Sequence, residues 1–567
     1  MENVADILFL LLAVVLSDVF TRLIPYDIPR PIVQIALGAL IGLSGRLGVT
    51  LDPQIFFLLF LPPLLFLDGW RIPPEELFKD KGTVLQLAFG LVLFTIVGMG
   101  LFIHWLLPAM PLPVAFALAA VLSPTDPIAV SAIAKRVPMS RRMMRILEGE
   151  SLLNDASGLV FFRFAVAAMM TGAFSLWGAT LDLVWAAAGG IAVGVGLTFA
   201  LTWMKNIVSQ RLGESSGSQI LISLLIPFGC YLLAEKLHSS GILAAVAAGL
   251  TMSFVESSGQ AQAVTRIRRN TFWDVIQFTA NGVIFVLLGE QLHGIASSAT
   301  ATVQLTGHSH PLWLGAYVIA IALGLAALRF AWVFVSLRSV LFQGRVISSD
   351  SVAATALAPD SVPSDVPVRS GWRLVTVMSL AGVRGAVTLA GVLSLPLLLP
   401  GGAAFPARDL AILLAMGVII VSLVAASVGL PLLLKGLDMP VDPSLDAEET
   451  AARMAAAHAA IAEIERIERA RTGSQTDVDA DADIVVTVAA AARVLDLYRA
   501  RIESREGDAE AIALAKRGEL AEREMRLAGL EAERTYLFGE LRARRLGSDT
   551  AKKLIRELDL LEARHTV

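Results

Sequence analysis

The stretch Ser123-Pro124-Thr125-Asp126-Pro127 interrupts an apolar segment that extends from residue 113 to residue 134. A proline has no amide hydrogen and clashes with the preceding helical turn, so two prolines three residues apart cannot continue a regular helix. We therefore predict that a long apolar helix begins in this segment and unwinds near Thr125. The break carries a hydroxyl on Thr125 and a carboxylate on Asp126.

The composition of the chain indicates a membrane protein with a water-soluble extension. Hydrophobic side chains make up 55% of the 567 residues, charged ones only 17%, and the mean hydropathy is +0.68. Soluble domains are about a quarter charged. Charges concentrate near the C-terminus, so we predict a transmembrane domain over residues 1–435 and a cytoplasmic helical domain over 436–567. The net charge of −4 gives no reason to expect nucleic acid as a partner.

Apolar runs of membrane-spanning length recur through the first 435 residues. About 20 apolar residues cross a bilayer as a helix, and only helices or closed barrels satisfy the backbone in lipid. We predict an all-α membrane protein with about 13 transmembrane helices. The predicted spans are 4–24, 32–48, 53–69, 83–107, 113–134, 147–172, 178–205, 219–238, 241–255, 271–293, 311–341, 372–399 and 408–434.

Basic residues in the loops predict the orientation of these helices. If the N-terminus is outside, the inner loops hold 19 lysines and arginines, whereas the outer loops hold only Arg46, Lys236 and Arg408. Loops rich in Lys and Arg face the cytoplasm. We therefore expect a multi-pass protein of the plasma (inner) membrane, with its N-terminus outside and its C-terminus in the cytoplasm.

The sequence after residue 442 becomes rich in Ala, Glu and Arg, with opposite charges four residues apart, such as Glu522 and Arg526. Such pairs are typical of solvated helices, so we interpret the tail as a helical hairpin or bundle. Before it, residues 343–370 are interpreted as a cytoplasmic loop. The tail helices are predicted near 446–471, 484–506, 508–545 and 549–564.

Thirteen spans divide into six, one and six, which gives the two sets of six opposite orientations. The fifth span of the first set contains the break at Thr125, and the fifth span of the second set contains Ala381-Gly382-Val383-Arg384-Gly385. Breaks at matching places in two inverted repeats mark the binding site of many secondary transporters. We therefore expect the binding site at these two breaks.

Charged residues inside the spans are the candidates for function, because a charge in lipid costs several kcal/mol. They are Asp126, Glu150, Asp155, Arg163, Arg329 and Arg384. In Glu150-Ser151-Leu152-Leu153-Asn154-Asp155, the Ser151 hydroxyl and the Asp155 carboxylate lie four residues apart on one helix face. With Thr125 and Asp126 they form a set of hard oxygen ligands suited to a small alkali cation.

Asp155 is the candidate for exchange between a proton and a cation. Removal from water favours the protonated form of a carboxylate, so protons and Na⁺ compete for such a group. Alternating access converts this competition into coupled exchange. Because the neighbouring Asn154 is neutral, we expect one exchanging acid per cycle and therefore electroneutral antiport. The other interpretation of Asp155 is a fixed pair with an arginine, but Glu150 with Arg329 is the better candidate for that pair.

Two further arginines lie inside the predicted spans, Arg384 and Arg163. Arg384 lies in the second break, where its charge either offsets the dipoles of the two half-helices or binds freed backbone carbonyls, and we leave both interpretations open. Arg163 lies two helical turns after Asp155. We expect its long side chain to extend to the outer interface.

Four segments of the chain resemble the monovalent cation:proton antiporters, the sodium/proton exchanger family with an Asn-Asp pair. They occur in the family's order, and the resemblance covers roughly residues 5–435. It implies an antiporter fold with two crossed, broken helices in a six-helix core domain, a separate dimerisation domain and elevator-like movement of the core. The segments are Phe60-Leu61-Pro62-Pro63-Leu64-Leu65-Phe66, Ser123-Pro124-Thr125-Asp126-Pro127, Gly149-Glu150-Ser151-Leu152-Leu153-Asn154-Asp155 and Gly382-Val383-Arg384-Gly385-Ala386-Val387.

The resemblance also implies roles for individual residues. Cation coordination falls to Thr125, Asp126, Ser151 and Asp155, and Asn154 is the partner position of the Asn-Asp pair. An ion pair between Glu150 and Arg329 is implied as well. The substrates implied are H⁺ and Na⁺, with Li⁺ or K⁺ as alternatives, in a homodimer that serves sodium and pH homeostasis without a cofactor.

Other classes of protein stay open from the sequence. A K⁺/H⁺ antiporter would use the same oxygen ligands. A cation channel needs a continuous pore, whereas matched helix breaks favour alternating access. An enzyme would need a catalytic histidine or a metal cluster, and Cys230 is the only cysteine. A sensor that binds cations and signals through the tail would carry the same motifs.

Overall fold

The structure is a computed structural model, and its residues form helices rather than sheets. Among the residues described, the β-structure consists of one isolated bridge between Leu398 and Ala404. The chain forms two compact units, Met1–Met439 and Pro440–Val567. The structure describes residues 2–24, 28–43, 53–72, 90–126, 141–172, 176–212, 215–257, 263–304, 310, 312–350, 371–434, 443–472, 480–503, 509–543, 545–546 and 548–566.

The first unit consists of helices that overlap every predicted span. The predicted twelfth span is divided between two short helices, α12 and α13. The described helices are α1 (Glu2–Leu23), α2 (Arg30–Leu43), α3 (Pro53–Arg71), α4 (Val92–Leu106), α5 (Leu112–Leu122), α6 (Arg141–Thr171), α7 (Leu176–Leu212), α8 (Ser216–Lys236), α9 (Gly241–Ser257), α10 (Ala263–Gln304), α11 (Leu312–Asp350), α12 (Gly371–Leu380), α13 (Ala386–Leu393) and α14 (Arg408–Leu434).

Several of these helices have the length and composition of membrane spans. Within the described residues, five are long and apolar enough to cross a bilayer, and shorter apolar helices accompany them. The total of about thirteen spans stays a prediction. The five long segments are Val184–Arg211, Ser216–Lys236, Val264–Leu292, Leu312–Val335 and Arg408–Leu434.

The helices of the first unit pack in two groups. The site bundle consists of α4, α5, α6 and α11 to α14, which pack mainly against one another. The flanking bundle consists of α1, α2, α3 and α7 to α10. Its α2 and α10 approach so closely that a Cβ at Gly38 or Gly289 would overlap the backbone of the other helix. Small residues permit such close contact between helices in membranes.

The predicted loop over residues 343–370 is wrong at its start. Helix α11 continues to Asp350, because residues 343–350 contain no proline to end it. Residues 351–370 lie outside the described part of the chain.

The second unit contains two pairs of packed helices, and each helix overlaps one of the four predicted there. Helix α15 packs on α16, and α17 packs on α18. The predicted pair of Glu522 and Arg526 is present at 2.5 Å. A hydrogen bond from Arg466 lowers the pKa of Glu463, because it favours the charged carboxylate. The helices are α15 (Pro443–Thr472), α16 (Ala480–Glu503), α17 (Ala509–Arg542) and α18 (Ser548–Thr566).

Candidate functional site

The two interrupted helices meet at their breaks. Helix α5 ends at Leu122 and α12 ends at Leu380, and the chain after each is non-helical. The Asp126 amide donates to the Val383 carbonyl (2.7 Å), and Arg384 Nε donates to the Leu122 carbonyl (3.0 Å). Helix ends leave backbone amide and carbonyl groups without partners inside the helix. Here, residues at each break provide hydrogen-bond partners for backbone groups at the other break. The chain after Asp126, including Pro127, lies outside the described residues.

Asp126 lies against the backbone at the start of α13. A Cβ at Gly385 would overlap the Asp126 carboxylate, so the position has room only for glycine. Gly385 directly precedes Ala386, the first residue of α13. The carboxylate therefore lies beside a helix N-terminus, where the helix dipole stabilises negative charge.

Helix α6 places its polar face against the break of α5. The Ser151 hydroxyl donates to the Thr125 carbonyl (2.6 Å), and the Asn154 side-chain amide donates to the Thr125 hydroxyl (2.9 Å). Ser151, Asn154 and Asp155 are all buried. The structure thus brings α6 and Thr125 together, and it places the like charges of Asp126 and Asp155 near enough to repel each other.

Glu150 and Arg329 form a buried ion pair. Arg329 Nη1 lies 2.5 Å from Glu150 Oε1, and Nη2 lies 3.0 Å from Oε2. Arg329 Nε also donates to the Met378 carbonyl (3.1 Å), so the guanidinium joins α11 to the end of α12. A bidentate arginine neutralises a buried carboxylate. Among the residues that the structure describes, no basic side chain forms such a pair with Asp155.

Asn154 contributes an oxygen without a partner. Its Oδ1 is buried and accepts no hydrogen bond from any described residue. A buried polar atom left unpaired costs free energy, so such atoms are commonly satisfied by water or a ligand. The oxygen is carried by the residue before Asp155, and it can accept a hydrogen bond from the hydration shell of a cation.

Arg384 binds backbone carbonyls freed at the helix breaks, which is the second of its two interpretations from the sequence. Its Nη1 donates to the Gly382 carbonyl (2.5 Å), and its Nε bonds to the Leu122 carbonyl described above. Its own amide donates to the Ser422 hydroxyl (3.2 Å). The guanidinium therefore satisfies carbonyl groups on both sides of the crossing.

Arg163 contacts two side chains of α8, and its extension to the outer interface stays a prediction. Its Nη1 lies 2.7 Å from Glu235 Oε1, and its Nη2 lies 3.2 Å from the Tyr231 hydroxyl. Both partners belong to α8, seventy residues further along the chain, so spacing alone does not reveal the pair.

Asp68 was missed in the sequence analysis. It belongs to α3 of the flanking bundle, and its charge acts on Asp155 together with those of Asp126 and Glu150. Asp68 falls inside the predicted span 53–69. The rule that charges inside spans are functional would have identified it.

Comparison with known proteins agrees with this geometry. The family model described as "Sodium/hydrogen exchanger, transmembrane" matches residues 7–436. The uncharacterized Na⁺/H⁺ exchanger YjcE of Escherichia coli K12 is 39% identical to this chain, over 99% of each of the two chains. A sodium, potassium, lithium and rubidium/H⁺ antiporter of Bacillus pumilus is 41% identical over 79% of this chain, which spans 63% of that protein's length.

A solved structure shares the fold. The sodium/proton antiporter MjNhaP1 of Methanocaldococcus jannaschii, solved at pH 8, superimposes with a TM-score of 0.56 at 20% identity. The match covers 77% of this chain and 100% of that one. From these matches and from the helices described above, the chain is a multi-pass membrane protein that belongs to the sodium/hydrogen exchanger family.

Proposed function

We propose that this chain exchanges one Na⁺ for one H⁺ at Asp155, without net movement of charge. The proposal rests on the difference in ion pairing between the two acids of α6, Glu150 and Asp155. Glu150 is neutralised by Arg329, whereas the buried Asp155 has no such basic partner among the described residues. Asp155 is therefore the acid available to a proton or a cation.

The surrounding oxygens support cation binding in addition to protonation. Ser151 donates its hydroxyl hydrogen to the Thr125 carbonyl and keeps its lone pairs for a cation. Asp126 and Asp155 supply carboxylate oxygens, and Na⁺ takes hard oxygen ligands of this kind. We therefore propose Thr125, Ser151, Asp126 and Asp155 as the Na⁺ site.

The charges of the site support a one-for-one cycle. The ion pair cancels the charge of Glu150, and Asn154 beside Asp155 is neutral. Asp155 is either protonated or bound to Na⁺, and each state carries one compensating positive charge. The carrier therefore crosses with the same net charge in both directions, and the membrane potential does not drive the exchange.

The proposed architecture follows from the helix breaks and from the family. The spans form two inverted repeats of six helices, and the broken helices α5 and α12–α13 cross at the site. The site bundle moves against the flanking bundle, which also joins two copies into a homodimer. The transmembrane domain covers residues 1–435, and the cytoplasmic tail covers 436–567. The N-terminus is outside the plasma membrane, where the exchanger serves sodium and pH homeostasis.

K⁺/H⁺ exchange is the second candidate. The Bacillus pumilus relative is named as an antiporter of potassium, lithium and rubidium as well as sodium. Carboxylate and hydroxyl oxygens bind all of these alkali cations, so the ligands of the proposed site suit K⁺ as well as Na⁺.

Everted membrane vesicles test the proposal. We expect Na⁺ to dissipate a preformed proton gradient, with the wild type active and Asp155→Asn inactive. Clamping the membrane potential with K⁺ and valinomycin should leave the Na⁺-driven rate unchanged. Equal responses to Na⁺ and K⁺ would change the substrate. Cation leak without proton movement would indicate a channel, and an active Asp155→Asn variant would remove the mechanism.

A further inference from the structure

An ion pair between described residues connects the two bundles. Arg163 lies on α6, the helix that also carries Asp155, and it contacts Glu235 and Tyr231 on α8. Helix α6 belongs to the site bundle and α8 to the flanking bundle. The contact is therefore a polar bridge between the helix that holds the exchanging carboxylate and the bundle beside it.

The acceptor side of this bridge is held in place by the turn between α8 and α9. Glu235 Oε1 also accepts a hydrogen bond from the Gly241 amide (3.2 Å). A Cβ at Gly241 would overlap the Tyr231 ring and approach Glu235. His238, in the same turn, has a φ of 53°, in the left-handed region that non-glycine residues adopt uncommonly. Glu235 Oε1 is thus held by a hydrogen bond within its own bundle as well as by Arg163.

The exposure of the pair permits it to break and re-form. The side chains of Arg163 and Glu235 are 38% and 36% exposed, whereas those of Arg329 and Glu150 are 3% and 0% exposed. An ion pair at the protein surface spends side-chain entropy to keep its geometry, so it is held less firmly than a pair enclosed by protein. A buried pair is costly to separate. The partly exposed pair crosses between the bundles, and the buried pair lies entirely within the site bundle.

We propose that Arg163 and Glu235 form a releasable latch between the two bundles. The latch is closed in the conformation described here and opens when the site bundle carries Asp155 to the other side of the membrane. This inference rests on the proposed exchange cycle and on the relative movement of the bundles. Tyr231 guides the Arg163 guanidinium onto Glu235.

Reversible crosslinking tests the latch. Arg163→Cys/Glu235→Cys is introduced together with Cys230→Ala, which removes the native thiol, and the two cysteines are joined by a short bifunctional reagent that reductant cleaves. We expect Na⁺-driven proton movement to fall at least about tenfold on crosslinking and to return on reduction, because conformational release limits such cycles. Na⁺ should still raise the melting temperature of the crosslinked protein.

A crosslink inside one bundle is the matched control. Ser216 on α8 and Thr265 on α10 lie with their hydroxyls 3.1 Å apart, and both helices belong to the flanking bundle. The variant Ser216→Cys/Thr265→Cys is made in the same background. We expect it to transport equally fast with the crosslink formed and after reductant has cleaved the crosslink. Full activity of the crosslinked 163–235 protein would overturn the latch. Equal arrest of both crosslinked proteins would also overturn it, because arrest would then not depend on bridging the bundles.

A second measurement separates failure of the latch from failure of the proposed exchange. If neither the wild type nor the cysteine variants treated with reductant move protons on addition of Na⁺, the exchange proposal fails. Spin labels at positions 163 and 235 then test the latch without transport. Two distance populations, shifted by Na⁺ and by pH, are expected. A single distance under all conditions would overturn the latch.

Discussion

Arg329 forms a bidentate ion pair, with N–O distances of 2.5 and 3.0 Å, with Glu150, which lies five residues before Asp155 on α6. Both side chains are almost completely buried. The ion pair distinguishes Glu150 from Asp155, although both carboxylates are buried. Glu150 is paired with Arg329, and Asp155 is the acid that we propose for exchange.

Breaking this pair should destabilise the protein more than replacing it. Removal of one partner leaves a buried charge uncompensated, so Arg329→Met or Glu150→Leu should lower the free energy of unfolding by about 3–5 kcal/mol. The double variant should recover much of that loss, because no charge is stranded. Thermal unfolding in detergent measures all three. A double variant as unstable as the sum of the singles would contradict this account.

Asp155→Asn should abolish exchange without weakening the fold. The amide cannot alternate between a proton and Na⁺, and it removes a buried charge that is costly to hold. We expect a loss of at least about 100-fold in Na⁺-driven proton movement, as for removal of an essential group, with an unchanged or higher melting temperature. Asp274→Asn, an exposed acid paired with Arg71, is the control and should stay active.

Gly385→Ala should impair the site sterically. The new Cβ would overlap the Asp126 carboxylate and force the two breaks apart. Overpacking of this kind costs about 1–3 kcal/mol, and the displaced Asp126 should reduce transport. Gly315→Ala is a matched control, because no atom lies within 4 Å of the added Cβ. Equal transport and melting temperatures in the two variants would show that the crossing does not require glycine.

Asp68→Asn should weaken Na⁺ binding. The Asp68 charge acts on Asp155 from the flanking bundle, and it adds to the negative potential that attracts a cation. We expect the apparent KM for Na⁺ at alkaline pH to rise by about three- to tenfold, on the scale of a partly screened charge interaction. Asp68→Glu keeps the charge and should stay near the wild type. An unchanged KM in Asp68→Asn would limit Asp68 to a structural role.

The sequence alone determined the features that depend on neighbouring residues in the chain. Apolar runs predict helices because span length is a local property, and each of the thirteen predicted spans overlaps a described helix. Proline and glycine predict breaks because their backbone preferences are local as well. The break after Leu122 and the break after Leu380 both occur where the sequence places them.

Only the tertiary structure decided which charged side chains meet across helices. The rotation and depth of packed helices place Arg163 beside Glu235 and bring the charge of Asp68 to bear on Asp155, and no spacing in the sequence encodes either relationship. The same applies to Arg384, whose two interpretations differ only in what lies within reach of its guanidinium. Helix formation is governed by contacts within a segment, whereas charge pairing depends on how segments separated by many residues are packed.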